Sequence, residues 1–258
     1  MKTVLIDCSP KKKLSVSGFL AWFTGLFIKG TRVREKLRNR RDHERILETV
    51  RDADNIVFVT PLYVDGVPSH VLPFLKEMEK DTGDAGTDHR IYVIANNGFI
   101  EGRQNEPLMQ IMENFCARSN NTWCGGIGIG GGVMLNVMRI MIMVYFVLMV
   151  FGVWYSIRFK HEAGLYHVGH FLKQFFEVCI FGCGIILFDI RLARSINNGE
   201  KYGKHYTRVM LPSFIFIPLA DIFFVIISIL NGGLFKGWLK KKMPTREKAG
   251  KTAMENNT

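Results

Sequence analysis

The stretch "NIVFVTPLY" constrains the fold more than any other part of the chain. Its apolar residues, 56–59, follow one another with no polar residue between them and stop at Thr60 and Pro61. A short apolar run without alternation is typical of a strand that is covered on both faces, as in a parallel sheet. Parallel strands need crossover connections, which are usually helices. The stretch therefore predicts an α/β fold.

The rest of residues 1–132 alternates between strand and helix patterns. Strands are predicted at "KTVLID", "TRVREKLR", "NIVFVTPLY", "RIYVIAN" and "TWCGGIGIGGG". Helices are predicted from Ser17 to Gly30 and at "DHERILETVRDA", "VPSHVLPFLKEMEK" and "QNEPLMQIMENFCARSN", with Asp42 as the N-cap of the second. This order predicts a doubly wound, five-stranded parallel sheet with helices on both faces.

The composition changes after Gly132, where an apolar, all-helical region is predicted over residues 133–235. Its three apolar segments are about 134–157, 171–190 and 209–230, and a basic tail at 236–258 is predicted to be disordered. Residues 140–157 form 18 positions without a charge, the usual minimum for a membrane-spanning helix. The second segment contains Lys173, Glu177 and Asp189, and the third contains Asp221. A span is favoured for the first segment, whereas the other two fit a span, a soluble core or a homodimer interface equally well.

The distribution of charge favours a membrane over nucleic acid as a partner. The net charge is +11, and residues 1–132 carry 18 Lys and Arg against 16 Asp and Glu, whereas residues 133–258 carry 16 against 7. The basic excess therefore flanks apolar segments, as it does in proteins that contact anionic membrane surfaces. The five cysteines show no spacing that ligates a metal or cluster, and no cleavable signal is recognised. The predicted location is the cell membrane, with the N-terminal domain facing the cytoplasm.

The loop "SPKKKLSVSG" joins the first strand to the first helix. In an open parallel sheet, ligands bind beyond the carboxyl ends of the strands, and helix N-termini there favour anions. Ser9, Ser15 and Ser17 supply hydroxyl groups, the following helix supplies backbone N–H groups, and lysines 11–13 supply positive charge. The loop is a candidate phosphate site, although a solvated lysine-rich turn has the same pattern.

Three motifs in residues 1–132 carry a resemblance to a known family. "SPKKKLSVS" resembles the S-P-[RK]-x-x-x-S-x-[ST] loop of the flavodoxin-like NAD(P)H-dependent FMN reductases and NAD(P)H:quinone-type oxidoreductases. "ADNIVFVTPLYVDGVP" resembles the second loop of that family. "VIANNGF" and the later "TWCGGIGIGGG" resemble its fourth strand with the following turn and its last strand. The motifs occur in the family's order.

The resemblance implies an FMN site with NAD(P)H as a substrate. By matching position, the implied phosphate ligands are Ser9, Lys11, Ser15 and Ser17. The residues implied to line the ribityl chain and one flavin face are Pro61, Leu62, Tyr63 and Val64, and those implied at the ring edge are Asn96, Asn97, Gly98 and Phe99. The glycines of the last strand are expected to pack closely against the flavin. The resemblance also implies a homodimer.

Two functions remain open at the level of sequence. The first is an oxidoreductase that passes electrons from NAD(P)H through FMN to a small-molecule acceptor. If the protein lies at a membrane, a quinone is the favoured acceptor. The second is a non-enzymatic, membrane-anchored electron carrier or docking module. No catalytic side chain and no metal ligand are predicted. His70 and Arg103 are candidate neighbours of the flavin without an assigned role.

Overall fold

The computed structural model describes residues 1–12, 14–85, 88–160 and 163–230. The strands in these ranges are β1 (Lys2–Asp7), β2 (Thr31–Lys36), β3 (Asn55–Pro61), β4 (Arg90–Asn96), β5 (Thr122–Gly130) and β6 (Gly203–Arg208). They form one sheet in the order β2-β1-β3-β4-β5-β6, and all neighbouring strands are parallel. The order of the first five is that of the flavodoxin-like fold, with a topological switch point between β1 and β3. The predicted α/β fold class is confirmed.

Seven α-helices lie within the described ranges. They are α1 (Val16–Phe27), α2 (His43–Val50), α3 (Val71–Ala85), α4 (Glu106–Arg118), α5 (Gly132–Tyr155), α6 (Leu165–Asn198) and α7 (Ser213–Leu230). A 3₁₀ turn (Arg40–Asp42) leads into α2, another (Gly102–Asn105) leads into α4, and a π-helical turn (Ser156–Lys160) follows α5. Asp42 stands at the N-cap of α2, as predicted, but its side chain makes no capping hydrogen bond.

The helices cover both faces of the sheet. One face packs on α2, α3 and α4 in a continuous hydrophobic core that includes Phe58 of β3, Ile46, Phe74 and Met112. The other face is covered by α1 and by the second half of α6. The buried positions of α6 run from Gly182 to Ile196 and, apart from the adjacent pair Leu192 and Ala193, lie three or four residues apart, so one stripe of this helix faces the sheet domain.

The sixth strand lies inside the region that was predicted to be all-helical. The segment β6 pairs with β5 at the sheet edge, and its polar side chains fix it to α4. Lys204 Nζ lies 3.2 Å from a carboxylate oxygen of Glu106 and 2.7 Å from one of Glu113, and Tyr206 donates a hydrogen bond to Glu106. A polar strand of six residues has little hydrophobic pattern, which explains why the sequence did not indicate it.

The glycines of β5 allow close approach of the neighbouring protein segments. A Cβ atom on Gly126 would lie 2.1 Å from the backbone oxygen of Val93, and one on Gly128 would lie 2.6 Å from the ring of Tyr206. One on Gly130 would lie 2.3 Å from the backbone oxygen of Ile100. The expectation that these glycines pack against a flavin is therefore wrong, because protein atoms already fill that space.

The helix α5 and the first half of α6 form an antiparallel hairpin at the carboxyl edge of the sheet. The rings of Phe146 and Phe171 lie 5.8 Å apart, and a Cβ atom on Gly152 would lie 2.5 Å from the ring of His167. One described helical stretch, Gly132–Lys160, has the length and composition to cross a membrane, with a mean hydropathy of 2.3 and 11% of its most apolar part buried. The apolar helix α7 is shorter than this.

The chain divides into two compact units, Met1–Phe216 and Ile217–Thr258. The first unit contains the whole sheet and the α5–α6 hairpin. The second contains most of α7, which has Pro218 in its interior. The basic tail predicted at 236–258 lies outside the described residues.

Candidate functional site

Three loops meet at the carboxyl ends of β1, β3 and β4. Loop 1 comprises the described residues 8–12, 14 and 15, loop 2 residues 62–70 and loop 3 residues 97–101. Because β1 and β3 flank the switch point, helices leave the sheet there in opposite directions and a crevice forms between the loops. All twelve residues predicted from the motifs lie in these loops or in the strand end or helix turn that borders them.

Loop 1 ends in a capped helix. The side-chain oxygen of Ser15 accepts a hydrogen bond from the N–H of Gly18 at 3.1 Å, so Ser15 is the N-cap of α1. Ser9 is buried, and its hydroxyl oxygen accepts the N–H of Lys11 at 3.3 Å. Lys11 is exposed. The first turn of a helix has N–H groups without intrahelical partners, so this turn favours an anion.

Asn96 connects the three loops. Its side-chain amide donates to Ser17 Oγ at 2.9 Å and to the backbone oxygen of Thr60 at 3.2 Å. Its own backbone oxygen accepts the N–H of Leu62 at 2.8 Å. Both Asn96 and Ser17 are buried. The side chain of Asn96 therefore joins the start of α1 to the end of β3, and its backbone oxygen holds the start of loop 2.

Loop 2 begins with a tight reversal of the chain. The N–H of Tyr63 donates to the oxygen of Gly66 at 2.9 Å, and the N–H of Gly66 donates back at 3.1 Å. The two residues between them, Val64 and Asp65, have φ angles of 47° and 56°. A left-handed conformation is costly for a β-branched residue, and such strain is often found at ligand-binding sites. The side chain of Val64 is fully exposed and that of Tyr63 is 42% exposed, and partial burial raises the pKa of Tyr63.

Loop 3 is fixed to the beginning of α5. The N–H of Gly132 donates to the backbone oxygen of Asn97 at 2.7 Å, and the side-chain amide of Asn97 donates to the oxygen of Glu101 at 3.0 Å. Gly98 follows in a bend, and Phe99 exposes 61% of its side chain. The loops at this end of the sheet thus carry two exposed aromatic rings, Tyr63 in loop 2 and Phe99 in loop 3, and loop 1 ends at a helix N-terminus.

Charged residues that the motifs did not indicate border loop 1. The buried carboxylate of Asp7 accepts the N–H of Ser9 at 3.1 Å, and a Cβ atom on Gly18 would lie 2.9 Å from its second oxygen. Burial raises the pKa of Asp7, although the Ser9 N–H, Arg38 and Lys36 oppose this shift. A family motif that begins at Ser9 leaves Asp7 outside it. The strand prediction for "KTVLID", with Asp7 as its last residue, was the available signal.

Two arginines hold the backbone of loop 1. Arg38 donates to the oxygens of Lys11 and Lys12 at 3.0 and 3.3 Å. Arg139 of α5 donates to the oxygen of Ser15 at 3.3 Å, and its guanidinium lies 4.4 Å from the ring centroid of Phe19. These contacts are distant in sequence and depend on the folded chain.

The histidines, cysteines and Arg103 in the described residues are not grouped into a metal site or a catalytic cluster. Within the described ranges, no group of three or more His, Cys, Asp or Glu residues is placed to hold a metal ion, and all five cysteines are free thiols. A ring nitrogen of His70 lies 3.1 Å from the backbone oxygen of Leu37. Arg103 lies in the 3₁₀ turn before α4, close enough to Tyr206 to affect its pKa.

Comparisons with known proteins give matches among solved structures. No protein-family model and no curated protein match the sequence. The Trp repressor binding protein from Bacillus subtilis is 18% identical over 50% of this chain and 84% of that chain, with a TM-score of 0.43. An NADPH-quinone reductase from P. pentosaceus is 15% identical over 51% of this chain and 86% of its own, with a TM-score of 0.43. An NAD(P)H:quinone oxidoreductase from Methanothermobacter marburgensis is 14% identical over 54% of this chain and 92% of its own, with a TM-score of 0.40.

Proposed function

We propose that the protein is an FMN-dependent NAD(P)H oxidoreductase whose cofactor binds in the crevice between loops 1, 2 and 3. The observation that carries this proposal is the convergence of the three loops at the β1/β3 switch point, where Asn96 ties them together. In this fold, ligands bind at that point. The proposal combines this geometry with the motif resemblance of the same loops.

The phosphate of FMN is assigned to loop 1. Ser15 and the first turn of α1 present a hydroxyl group and backbone N–H groups, and Lys11 adds an exposed positive charge. Ser9 has a hydroxyl proton that its bond to the Lys11 N–H does not use. Ser17 is buried and bonded to Asn96, so its assigned role is to position this turn as well as to contact the phosphate. The donor set fits a dianion.

The ribityl chain and ring are assigned to loops 2 and 3. Pro61, Leu62, Tyr63 and Val64 border one side of the crevice, and Asn96, Asn97, Gly98 and Phe99 border the other. The half-exposed rings of Tyr63 and Phe99 fit a flat apolar ligand. Bound FMN supplies the chemistry of accepting a hydride and passing electrons onward. The residues of the loops orient the cofactor and limit the access of water.

The electron acceptor is assigned to the class of quinones, and the α5–α6 hairpin is assigned to the membrane. The side chains of α5 beyond Arg139 are mostly apolar and exposed, with Phe151 at 60% and Val147 at 64%. The hairpin begins at the same sheet edge as the three loops, so insertion would bring this edge to the bilayer surface. The flavin domain then faces the cytoplasm, and a homodimer is the assigned assembly.

The visible absorption spectrum of the purified protein and its NADPH oxidation test this proposal. We expect a flavin spectrum, NADPH oxidation that a soluble quinone accelerates, and a requirement for detergent during purification. A preparation that takes up no FMN would contradict the assignment of the crevice. Bound flavin without any oxidation of NADH or NADPH would favour the electron-carrier alternative, for which the exposed hairpin is the docking part.

A further inference from the structure

A large groove lies beside the site described above and shares residues of loop 1 and the start of α1 with it. The groove has a volume of about 1170 Å³ and is bordered by α1, β2, and the α5–α6 hairpin. It reaches the end of loop 1 at Leu14 and Ser15, and none of its lining residues belongs to loop 2 or loop 3. Its volume exceeds that of most small-molecule sites, which is about 300 to 1,000 Å³. The groove therefore has room for an occupant larger than a typical metabolite.

Two walls of the groove are apolar. The side of α1 that faces it carries Phe19, Trp22, Phe23 and Leu26, of which Trp22 is 45% exposed. The helices α5 and α6 provide the opposite wall, which is apolar apart from Arg139 and includes Met138, Ile142, Phe175, Val178, Ile185 and Ile186. Water in contact with such surfaces is unfavourable, at about 25 cal/mol per Å² of apolar area. An apolar chain fits between these walls.

The third wall is formed by the edge strand β2 and is cationic. Side chains alternate between the two faces of a strand, so Arg32, Arg34 and Lys36 share one face of β2. All three line the groove. Glu35 also borders the groove, but its carboxylate pairs with Arg45 of α2 on the opposite side of the strand. The alternation in "TRVREK" thus sorts three cations to one side of the strand.

Two of these cations are available to a ligand. Arg32 donates to the backbone oxygen of Gly25 at the end of α1. Among the residues that the structure describes, the side chains of Arg34 and Lys36 form no hydrogen bond or ion pair, and both residues are exposed. Asp7, which also borders the groove, is close enough to Lys36 for that cation to oppose the rise in its pKa, so Arg34 is the freer of the two. They lie along the row next to Arg38 and Lys12, which border the same groove.

We propose that this groove binds one anionic phospholipid. Its phosphate lies beside Arg34 and Lys36, and its acyl chains lie between α1 and α6. The combination of a cationic row with two apolar walls matches an anionic amphiphile. A zwitterionic lipid carries the same phosphate but also an ammonium group, which these cations repel, whereas a nucleic acid would leave the apolar walls unused. This inference does not depend on whether the crevice binds FMN.

The retention of lipid by the full-length protein tests the proposal. The detergent-solubilised protein is mixed with equal amounts of dioleoyl phosphatidylglycerol and dioleoyl phosphatidylcholine, and the bound lipid is counted by native mass spectrometry. We expect the wild type to retain the anionic lipid about tenfold more than the zwitterionic one, which corresponds to about 1.4 kcal/mol. Equal retention of the two lipids would overturn the proposal.

Matched variants locate the binding surface. The double variant Arg34→Glu with Lys36→Glu is expected to lose the preference for the anionic lipid. The control, Arg41→Glu with Lys76→Glu, makes the same change in net charge at exposed positions outside the groove and is expected to keep it. An equal loss in both double variants would contradict the location, because it would reflect net charge alone.

Two further measurements separate the contribution of the acyl chains to binding from that of the headgroup. Val178→Trp adds bulk to the apolar wall without changing charge, and we expect it to lower the retention of both lipids. Inorganic phosphate at millimolar concentration is expected to displace no lipid. Displacement by phosphate, or unchanged retention in Val178→Trp, would mean that the groove does not hold a lipid chain.

Discussion

The side-chain amide of Asn96 donates a hydrogen bond of 2.9 Å to the hydroxyl oxygen of Ser17 and so joins the end of β4 to the first turn of α1. Both groups are buried. Removal of the Asn96 side chain leaves the Ser17 hydroxyl without this partner, and removal of the hydroxyl leaves the amide with only its bond to the backbone oxygen of Thr60. Loop 1 and loop 3 are therefore coupled, although 79 positions separate the two residues in the sequence. A change at Ser17 should alter the position of the whole helix start.

This coupling gives the first prediction. The double variant Ser15→Ala with Ser17→Ala loses the N-cap of α1 and the bond to Asn96, and with them the two hydroxyl groups assigned to the phosphate, whose hydrogen bonds to it are worth about 1 kcal/mol each. We expect its dissociation constant for FMN to rise about 30-fold. Quenching of flavin fluorescence during a titration measures it. The comparison variant, Lys12→Ala with Lys13→Ala, should change the constant about threefold at most, since exposed charges contribute little; Lys13 lies outside the described residues. Equal effects of the two variants would refute the placement of the phosphate.

Asp7 gives a second prediction, of opposite sign. Its carboxylate lies under loop 1, where an ionised form repels a phosphate. Asp7→Asn keeps an acceptor for the Ser9 N–H and removes the charge, so we expect FMN to bind about tenfold more tightly, or by about 1.4 kcal/mol. Isothermal titration at neutral pH measures this gain.

The pH dependence of the same variant provides a control. Burial raises the pKa of Asp7, so acidification neutralises it in the wild type and should narrow the difference between the two proteins. Titration of the phosphate itself affects both proteins equally. A difference in affinity that does not shrink as the pH falls would show that the charge of Asp7 is not the cause.

The sequence predicted the sheet domain well because each of its central strands is locally consistent. Buried apolar runs such as 56–59 indicate a strand on their own, and the loops after them are fixed by the same topology. The sixth strand was missed because Lys204 and Tyr206 make its contacts with α4, and these contacts exist only after the chain has folded. The second half of α6 had the same difficulty, since its apolar stripe fits a membrane and a sheet equally well.

The sequence predicted which loops form the candidate site, but not the hydrogen bonds that connect them. The motifs named Ser17 and Asn96 as separate ligands, whereas the structure bonds them to each other. Arg38 and Arg139 were not indicated, because each reaches loop 1 from a distant element. Long-range hydrogen bonds of this kind leave no periodic pattern in a sequence.

A pair of glycines provides a third prediction, about packing at the edge of the sheet. Gly128→Ala places a Cβ atom 2.6 Å from the ring of Tyr206 and 2.7 Å from the backbone oxygen of Gly102, so β6 must shift. We expect a loss of about 1 to 3 kcal/mol in the free energy of unfolding, as for other overpacked sites. Gly25→Ala in α1 meets no atom within 4 Å and should stabilise the helix by up to about 1 kcal/mol.

Thermal unfolding of both glycine variants in the same detergent measures these changes. The Tm should fall for Gly128→Ala and rise or stay constant for Gly25→Ala. Hydrogen exchange adds a local readout, because only the first variant should accelerate exchange in β6. A fall in Tm without faster exchange in β6 would contradict the packing explanation.

Asp189 gives the last prediction, which concerns the pH dependence of stability. It lies in the part of α6 that packs against α1, and Thr24 Oγ1 is 2.7 Å from its carboxyl oxygen and 2.8 Å from the backbone oxygen of Leu20. A hydroxyl group has one proton, so both contacts are hydrogen bonds when Thr24 donates to Leu20 and a protonated Asp189 donates to Thr24. Burial raises the pKa of Asp189 to about 7, which agrees with a neutral carboxyl group.

Because the pKa of Asp189 is higher in the folded than in the unfolded protein, its contribution to stability decreases as the pH rises. The stability contributed by Asp189 is fully present below the unfolded pKa of about 4 and is lost as the pH rises toward about 7, at most about 1.4 kcal/mol per pH unit. Asp189→Asn imitates the neutral form, so we expect its Tm to exceed that of the wild type at neutral pH and to equal it near pH 4. Glu48→Gln, on the exposed side of α2, should leave the profile unchanged. A Tm profile of Asp189→Asn parallel to that of the wild type across this range would show that the carboxyl group does not titrate on unfolding.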